Sequence, residues 1–233
     1  MQVHELINKI STVIRCSYSS LPGIHPLHLS PEMSEIYGTM DEEKLQIHNE
    51  VYKCPGLRKI HLETAKLGSL DVLHCVFFPD PKYDLPIFGA DIVATPRGVG
   101  AAIVDLSPVG DFSSTLTEKL RNISTSFNFK EERTLPEWGD IFSPYCKFLR
   151  PTNKVEESQF VNAVESYLTI YTLAVMDAKP VHGEEERLKA QLNYCNQQKK
   201  NDKTRGILER CFDKEWTDRY LSLIHISEPT RPY

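Results

Sequence analysis

The sequence predicts an α/β domain in which helices pack against one antiparallel sheet. Three observations carry this reading. An apolar stripe at helical spacing opens the chain, the middle third alternates at strand spacing, and helical spacing returns after Pro108. The connections between the strands are short, which favours antiparallel pairing, because a parallel pair needs a crossover of roughly a dozen residues or more.

In chain order, Val3, Leu6, Ile7, Ile10, Val13 and Ile14 fall on one side of a first helix, Val3 to Ile14. A loop rich in Pro, His and Ser follows, beginning near Leu21-Pro22-Gly23. In the next strand Ile60, Leu62 and Thr64 face one way and His61, Glu63 and Ala65 the other. Gly68-Ser69 reads as a turn into an apolar strand, Asp71 to Phe78, that contains His74. Pro79 to Pro86 is a turn-rich connection. Pro86 to Val93 is a strand interrupted by Asp91, and Arg97-Gly98 turns into another, Val99 to Leu106. Ser113 to Ser124 is a weakly amphipathic helix, and Tyr145 to Leu149 a last strand closed by Pro151. Thr152 or Asn153 caps a helix that has Glu156 and Glu157 in its first turns and carries Phe160, Val164, Tyr167 and Tyr171. A final helical region runs from Glu184 to Arg210 and includes a basic stretch, Gln197 to Arg205. Residues 1–221 read as a single domain. Residues 222–233 read as a non-native tail, an adapter or assembly scar, and stay outside the fold reasoning.

Composition narrows the function classes. The 27 basic and 32 acidic side chains leave a net charge of −5, so no general basic field for nucleic acid exists and any basic contact must be a local patch. No apolar run approaches the ~18 residues of a membrane span, and no leader pattern opens the chain. The six cysteines lack C-x-x-C pairing and read as reduced, mostly buried thiols of a cytoplasmic protein, with no metal site among them.

Glu63, His74 and Asp91 interrupt strands that otherwise read as buried or half-buried. An ionised group without a partner is costly to bury, so each is expected to be paired, protonated or turned to a cavity. If alternation brings them to one side of the sheet, that side carries a cluster of proton donors. Solvent-facing alternation is the plainer alternative for Glu63, and a hydrogen-bonded core histidine for His74. Other motifs fall short. His61-x-Glu63 lacks the Pro-Cys-x-x-Cys partner of a deaminase. Gly98-x-Gly100 has no parallel βαβ context for a dinucleotide. Neither a nucleophile elbow nor a phosphate loop occurs. The residues alone thus suggest an acid cluster and no bound redox group.

Longer strings carry a resemblance. Arg58-Lys59-Ile60-His61-Leu62-Glu63-Thr64-Ala65-Lys66, Leu73-His74-Cys75-Val76-Phe77-Phe78-Pro79, Tyr83-Asp84-Leu85-Pro86-Ile87-Phe88-Gly89-Ala90-Asp91, Leu135-Pro136-Glu137-Trp138-Gly139-Asp140 and Gln198-Lys199-Lys200-Asn201-Asp202-Lys203-Thr204-Arg205 together resemble a ferredoxin-dependent bilin reductase, in consistent order over residues 45–221. The spacing from Glu63 to His74 is one residue shorter than the family pattern. The resemblance implies a three-layer α/β/α sandwich with a central antiparallel sheet, no bound cofactor or metal, reduced ferredoxin as external electron donor, and biliverdin IXα as substrate between the sheet and the C-terminal helices. It implies four-electron reduction to phycocyanobilin, with phycoerythrobilin as the alternative product and a non-catalytic bilin carrier as the alternative of another class. By the same resemblance Asp91 protonates the bilin, His74 is its partner, and Glu63 serves vinyl reduction. Asp202 is a weaker catalytic candidate. Arg150, Lys203 and Asn201 bind substrate, the first two as cations for the propionates. Lys199, Lys200 and Arg205 offer a docking patch to an acidic ferredoxin. A monomer in the cytoplasm of a cyanobacterium, or of a host if the gene is phage-borne, suits these expectations.

Overall fold

The structure, a computed structural model, describes residues 3–200 and 202–224, with 202, 203, 223 and 224 in backbone only. The elements run α1 (Glu5–Ser19), β1 (His25–Pro26), α2 (Pro31–Ser34), β2 (Glu35–Met40), β3 (Glu43–Cys54), β4 (Leu57–Leu67), β5 (Leu70–Pro79), β6 (Ile87–Thr95) and β7 (Gly98–Ser107). After these come α3 (Ser114–Ser126), a 3₁₀ turn (Gly139–Ile141), β8 (Lys147–Leu149), α4 (Lys154–Asp177), α5 (Glu184–Gln198), α6 (Asp202–Cys211) and α7 (Lys214–Ile224).

All strand pairs are antiparallel, in the order β1-β3-β4-β5-β6-β7-β8, with β2 also on β3. Alternation gives the sheet two unlike faces. On one, Leu62, Cys75, Phe77, Phe88 and Ala90 join Ile7, Ile10 and Ile14 of α1 and Phe160, Val164 and Tyr171 of α4 in a single core. The expected α4 cap is present: Asn153 Oδ1 accepts from the Val155 and Glu156 amides, both at 3.0 Å. The other face carries two smaller cores. Ile36, Leu45, Ile47 and Ala65 meet Leu208, Tyr220 and Leu221 of α6 and α7. Val76, Phe78 and Ile87 meet Ile141 and, from α5, Tyr194 and Cys195. Helices therefore cover both faces, and the molecule is the expected α/β/α sandwich.

Two local expectations are corrected, and the structure adds one hairpin. The hairpin β2–β3 was not legible, because its two-residue turn is Asp41-Glu42, both at positive φ (50° and 69°). Such turns normally announce themselves through Asn-Gly or Asp-Gly. The helix expected from Glu184 to Arg210 is two helices, ending at Gln198 and resuming at Asp202. The strand expected from Tyr145 begins at Lys147. Residues 222–224 of the segment read as a tail continue α7, and 225–233 lie outside the described residues. In the β4–β5 turn Leu67 pairs Leu70 across Gly68-Ser69. A tight two-residue turn keeps Glu63 opposite His74.

Candidate functional site

Register assembles the site. Across the sheet Asn49 of β3 pairs Glu63 of β4, which pairs His74 of β5, which pairs Asp91 of β6. The row continues through Ile103 of β7 to Phe148 of β8. Directly opposed residues point to the same face, so four strands present a polar row that two more strands extend with apolar side chains. Glu63, His74, Asp91, Ile103 and Phe148 all line one cavity of about 670 Å³ between the two smaller cores. That volume suits a ligand of several rings.

The cavity combines an apolar floor with aromatic and cationic walls. Ile47, Val72 and Val93 extend the floor beside the polar row, and Trp138, Phe142 and Phe148 form one wall. The mouth carries Arg133, Lys199 and Lys200. Arg133 is fixed by a 2.8 Å hydrogen bond to the Gly100 carbonyl and by its guanidinium lying 5.1 Å from the centre of the Phe148 ring. Asp105, fully buried on β7, anchors the aromatic wall. It accepts from the Ser143 amide at 2.9 Å, the Ser143 hydroxyl at 2.5 Å and the Ser107 hydroxyl at 2.7 Å. Burial pushes its carboxyl up to about 6 against those three donors.

Within the row, His74 Nδ1 lies 2.5 Å from Asp91 Oδ1. Burial disfavours the imidazolium, but the Asp91 and Glu63 carboxylates outweigh it and raise His74 above the ordinary histidine value. Glu63 is only 7% exposed, and burial raises its carboxyl, partly opposed by His74 and by a hydrogen bond from Tyr220. The Asp91 side chain, 39% exposed, opens into the cavity. The floor thus holds a histidine biased toward its protonated form, a carboxyl biased toward the acid form, and the Asp91 carboxyl group in reach of a ligand. Such a set can donate and relay protons to a bound ligand.

One register brings together Glu63, His74 and Asp91, the three ionisable residues that interrupt the strands. Lys199 and Lys200 line the cavity mouth. Arg205 is ion-paired with Glu209 at 3.2 Å and Asp218 at 2.7 Å. Arg150 is exposed and not among the residues lining the cavity; Arg133, which sequence reasoning missed, stands there instead. Its only signal was one cation in the loop before Trp138. Asn201 and the side chains of Asp202 and Lys203 lie outside the described residues. His61, Asn49 and Tyr220 were also missed as a group. His61 Nε2 is 2.8 Å from Asn49 Oδ1, and the Tyr220 hydroxyl is 2.7 Å from Glu63 Oε2. Among the described residues no cluster of His, Cys, Asp and Glu is arranged to hold a metal, and no helix is long and apolar enough to cross a membrane.

A family model for ferredoxin-dependent bilin reductases matches residues 11–224. Phycocyanobilin:ferredoxin oxidoreductase of Prochlorococcus marinus (strain MIT 9313) is 49% identical, covering 97% of this chain and 88% of that protein. The protein of the same name from Synechococcus sp. (strain CC9902) is 46% identical, covering 99% and 96%. The fold is similar to that of phytochromobilin synthase from tomato, solved in complex with biliverdin, with a TM-score of 0.70 and 18% identity over 94% of this chain and 82% of that one.

Proposed function

Since the chain belongs to the ferredoxin-dependent bilin reductases, we propose that it reduces biliverdin IXα to phycocyanobilin, taking four electrons one at a time from reduced ferredoxin and adding four protons relayed through its floor residues and replenished from solvent. The observation that carries this reading is the 2.5 Å His74–Asp91 pair, with Glu63 beside it in one row facing one cavity.

A bilin laid along the row sets its ring nitrogens and lactams over Asp91 and His74. Asp91 hands a proton to the bilin, which makes the conjugated system easier to reduce, and the imidazolium of His74 restores it. Glu63, at the β4 end of the row, supplies the proton for the exocyclic vinyl group. Its raised carboxyl suits that task, because a general acid works best with a pKa near the working pH. Arg133, Lys199 and Lys200 at the mouth suit the two propionates and face the side from which an acidic ferredoxin would approach. Placement of each proton directs which double bond accepts the electrons, which is how a site without its own redox group governs a redox reaction.

Anaerobic turnover with reduced ferredoxin and product chromatography test the reading. Phycocyanobilin is the expected product, and phycoerythrobilin alone would overturn the regiochemistry. Glu63→Gln is expected to stop vinyl reduction and accumulate a two-electron-reduced bilin while biliverdin binding survives. An unchanged product would remove Glu63 from the mechanism.

A further inference from the structure

Tyr220 of α7 does not line the cavity, yet its hydroxyl reaches the cavity's acid from behind. It is 1% exposed, and the hydroxyl lies 2.7 Å from Glu63 Oε2 and 3.2 Å from Asn49 Oδ1. A tyrosine hydroxyl has one proton to donate, so it serves one of these oxygens at a time. Asn49 cannot exchange its roles, because its Nδ2 donates to the Met33 carbonyl at 2.9 Å. Its Oδ1 is therefore an acceptor, and His61 carries the proton on Nε2 that meets it at 2.8 Å.

The ring of Tyr220 is clamped. Trp216 stacks on it at 5.1 Å and 15°, and Phe212 stacks on Trp216 at 4.0 Å and 26°. The stack packs on the sheet at Gly38 of β2, where a Cβ would come within 2.7 Å of the Phe212 ring. The hydroxyl thus keeps its place while its proton is free to rotate.

From this geometry we infer that Tyr220 is a positioning residue for Glu63, a one-proton rotor that holds the carboxylate while Glu63 is ionised and turns to Asn49 when Glu63 carries its proton. The inference rests on the proposed role of Glu63. No net proton is lost in the exchange. With Glu63 ionised, the Tyr220 proton points at Oε2; with Glu63 protonated, the acid donates to the tyrosine oxygen and the tyrosine donates to Asn49 Oδ1. The charged or titratable groups facing Glu63 among the described residues are Tyr220 from α7, His74 from β5 and Asp91 from β6, with His61 joined through Asn49. Tyr220 is the only one of these supplied by a helix, so the C-terminal helix sets how readily the sheet's acid gives up its proton.

The test titrates the carboxyl infrared band of Glu63 in the substrate-free protein, assigned by its loss in Glu63→Gln. Tyr220→Phe keeps the stack and removes the donor, so the midpoint is expected to rise by about one pH unit. In turnover the same variant is expected to change the ratio of two-electron to four-electron product. Installing 3-fluorotyrosine at position 220 gives a stronger donor of nearly the same volume, and moves the midpoint downward; this arm decides the matter if Tyr220→Phe does not fold. An unmoved midpoint overturns the inference whatever Glu63→Gln does to the product. A moved midpoint with an unchanged Glu63→Gln product leaves the Tyr220 coupling standing and removes the catalytic role of Glu63.

Discussion

The two faces of the sheet use the same strands for opposite ends. Toward α1 and α4 the central rows are apolar and form one continuous core, with His48 and Glu50 of β3 on the same side beyond it. Toward α5, α6 and α7 two separate cores stand apart, and the gap between them is the cavity. Close packing on the first face supplies the rigidity that lets the second stay incompletely filled and hold ionisable groups within hydrogen-bond distance. A slip of one residue in any pairing would exchange the two faces, so stability and chemistry depend on the same register.

Three perturbations separate the faces. The largest effect on activity is expected from Asp91→Asn, which keeps the shape of the carboxyl and removes its proton transfer. Turnover with ferredoxin should fall by roughly 100-fold or more, while urea unfolding changes by less than about 1 kcal/mol. Loss of stability comparable to the loss of activity would mean that the polar row is structural. On the opposite face Phe77, fully buried among the rings of Tyr18, Phe88 and Tyr171, should show the reverse. Phe77→Ala is expected to cost about 3–5 kcal/mol in urea unfolding, with bilin affinity per folded molecule nearly unchanged. The smallest effect concerns pH. Burial holds the Asp105 carboxyl at about 6, above its ordinary value of 3.8, so the folded state binds this proton more tightly than the unfolded one. Its contribution is full below pH 3.8 and lost as pH rises through 6. Unfolding free energies measured for the native protein and Asp105→Asn should therefore change in relation to each other between those values, the native protein losing ground as pH rises. A constant difference would show that the Ser143 and Ser107 donors compensate burial completely.

Much of the architecture was legible because period and turn chemistry speak locally. The strands around Glu63, His74 and Asp91 show alternation or an apolar run with punctuation at Gly68 and Gly98, and the α4 cap is written in Thr152-Asn153. The hairpin Glu35–Cys54 was silent because its turn holds no glycine and because His48 and Glu50 blur the alternation with an ion-pair network to Arg15 and Glu35. Arg133 and Tyr220 gave too little local signal to single them out: one is an ordinary loop cation, the other an ordinary aromatic on an amphipathic helix.

By itself, then, the sequence determined the composition of each strand, the alternation that puts Glu63, His74 and Asp91 on the side away from Leu62, Cys75 and Ala90, and the family to which these strings belong. Only the tertiary structure decided that the three ionisable groups stand in one row, that α7 reaches back to donate to Glu63, and that Arg133 rather than Arg150 reaches the cavity. The physical reason is range. Periodicity and capping act over a few residues, whereas cross-strand register and helix docking join groups as far apart as Glu63 and Tyr220, 157 positions along the chain, whose meeting depends on how the whole sheet pairs.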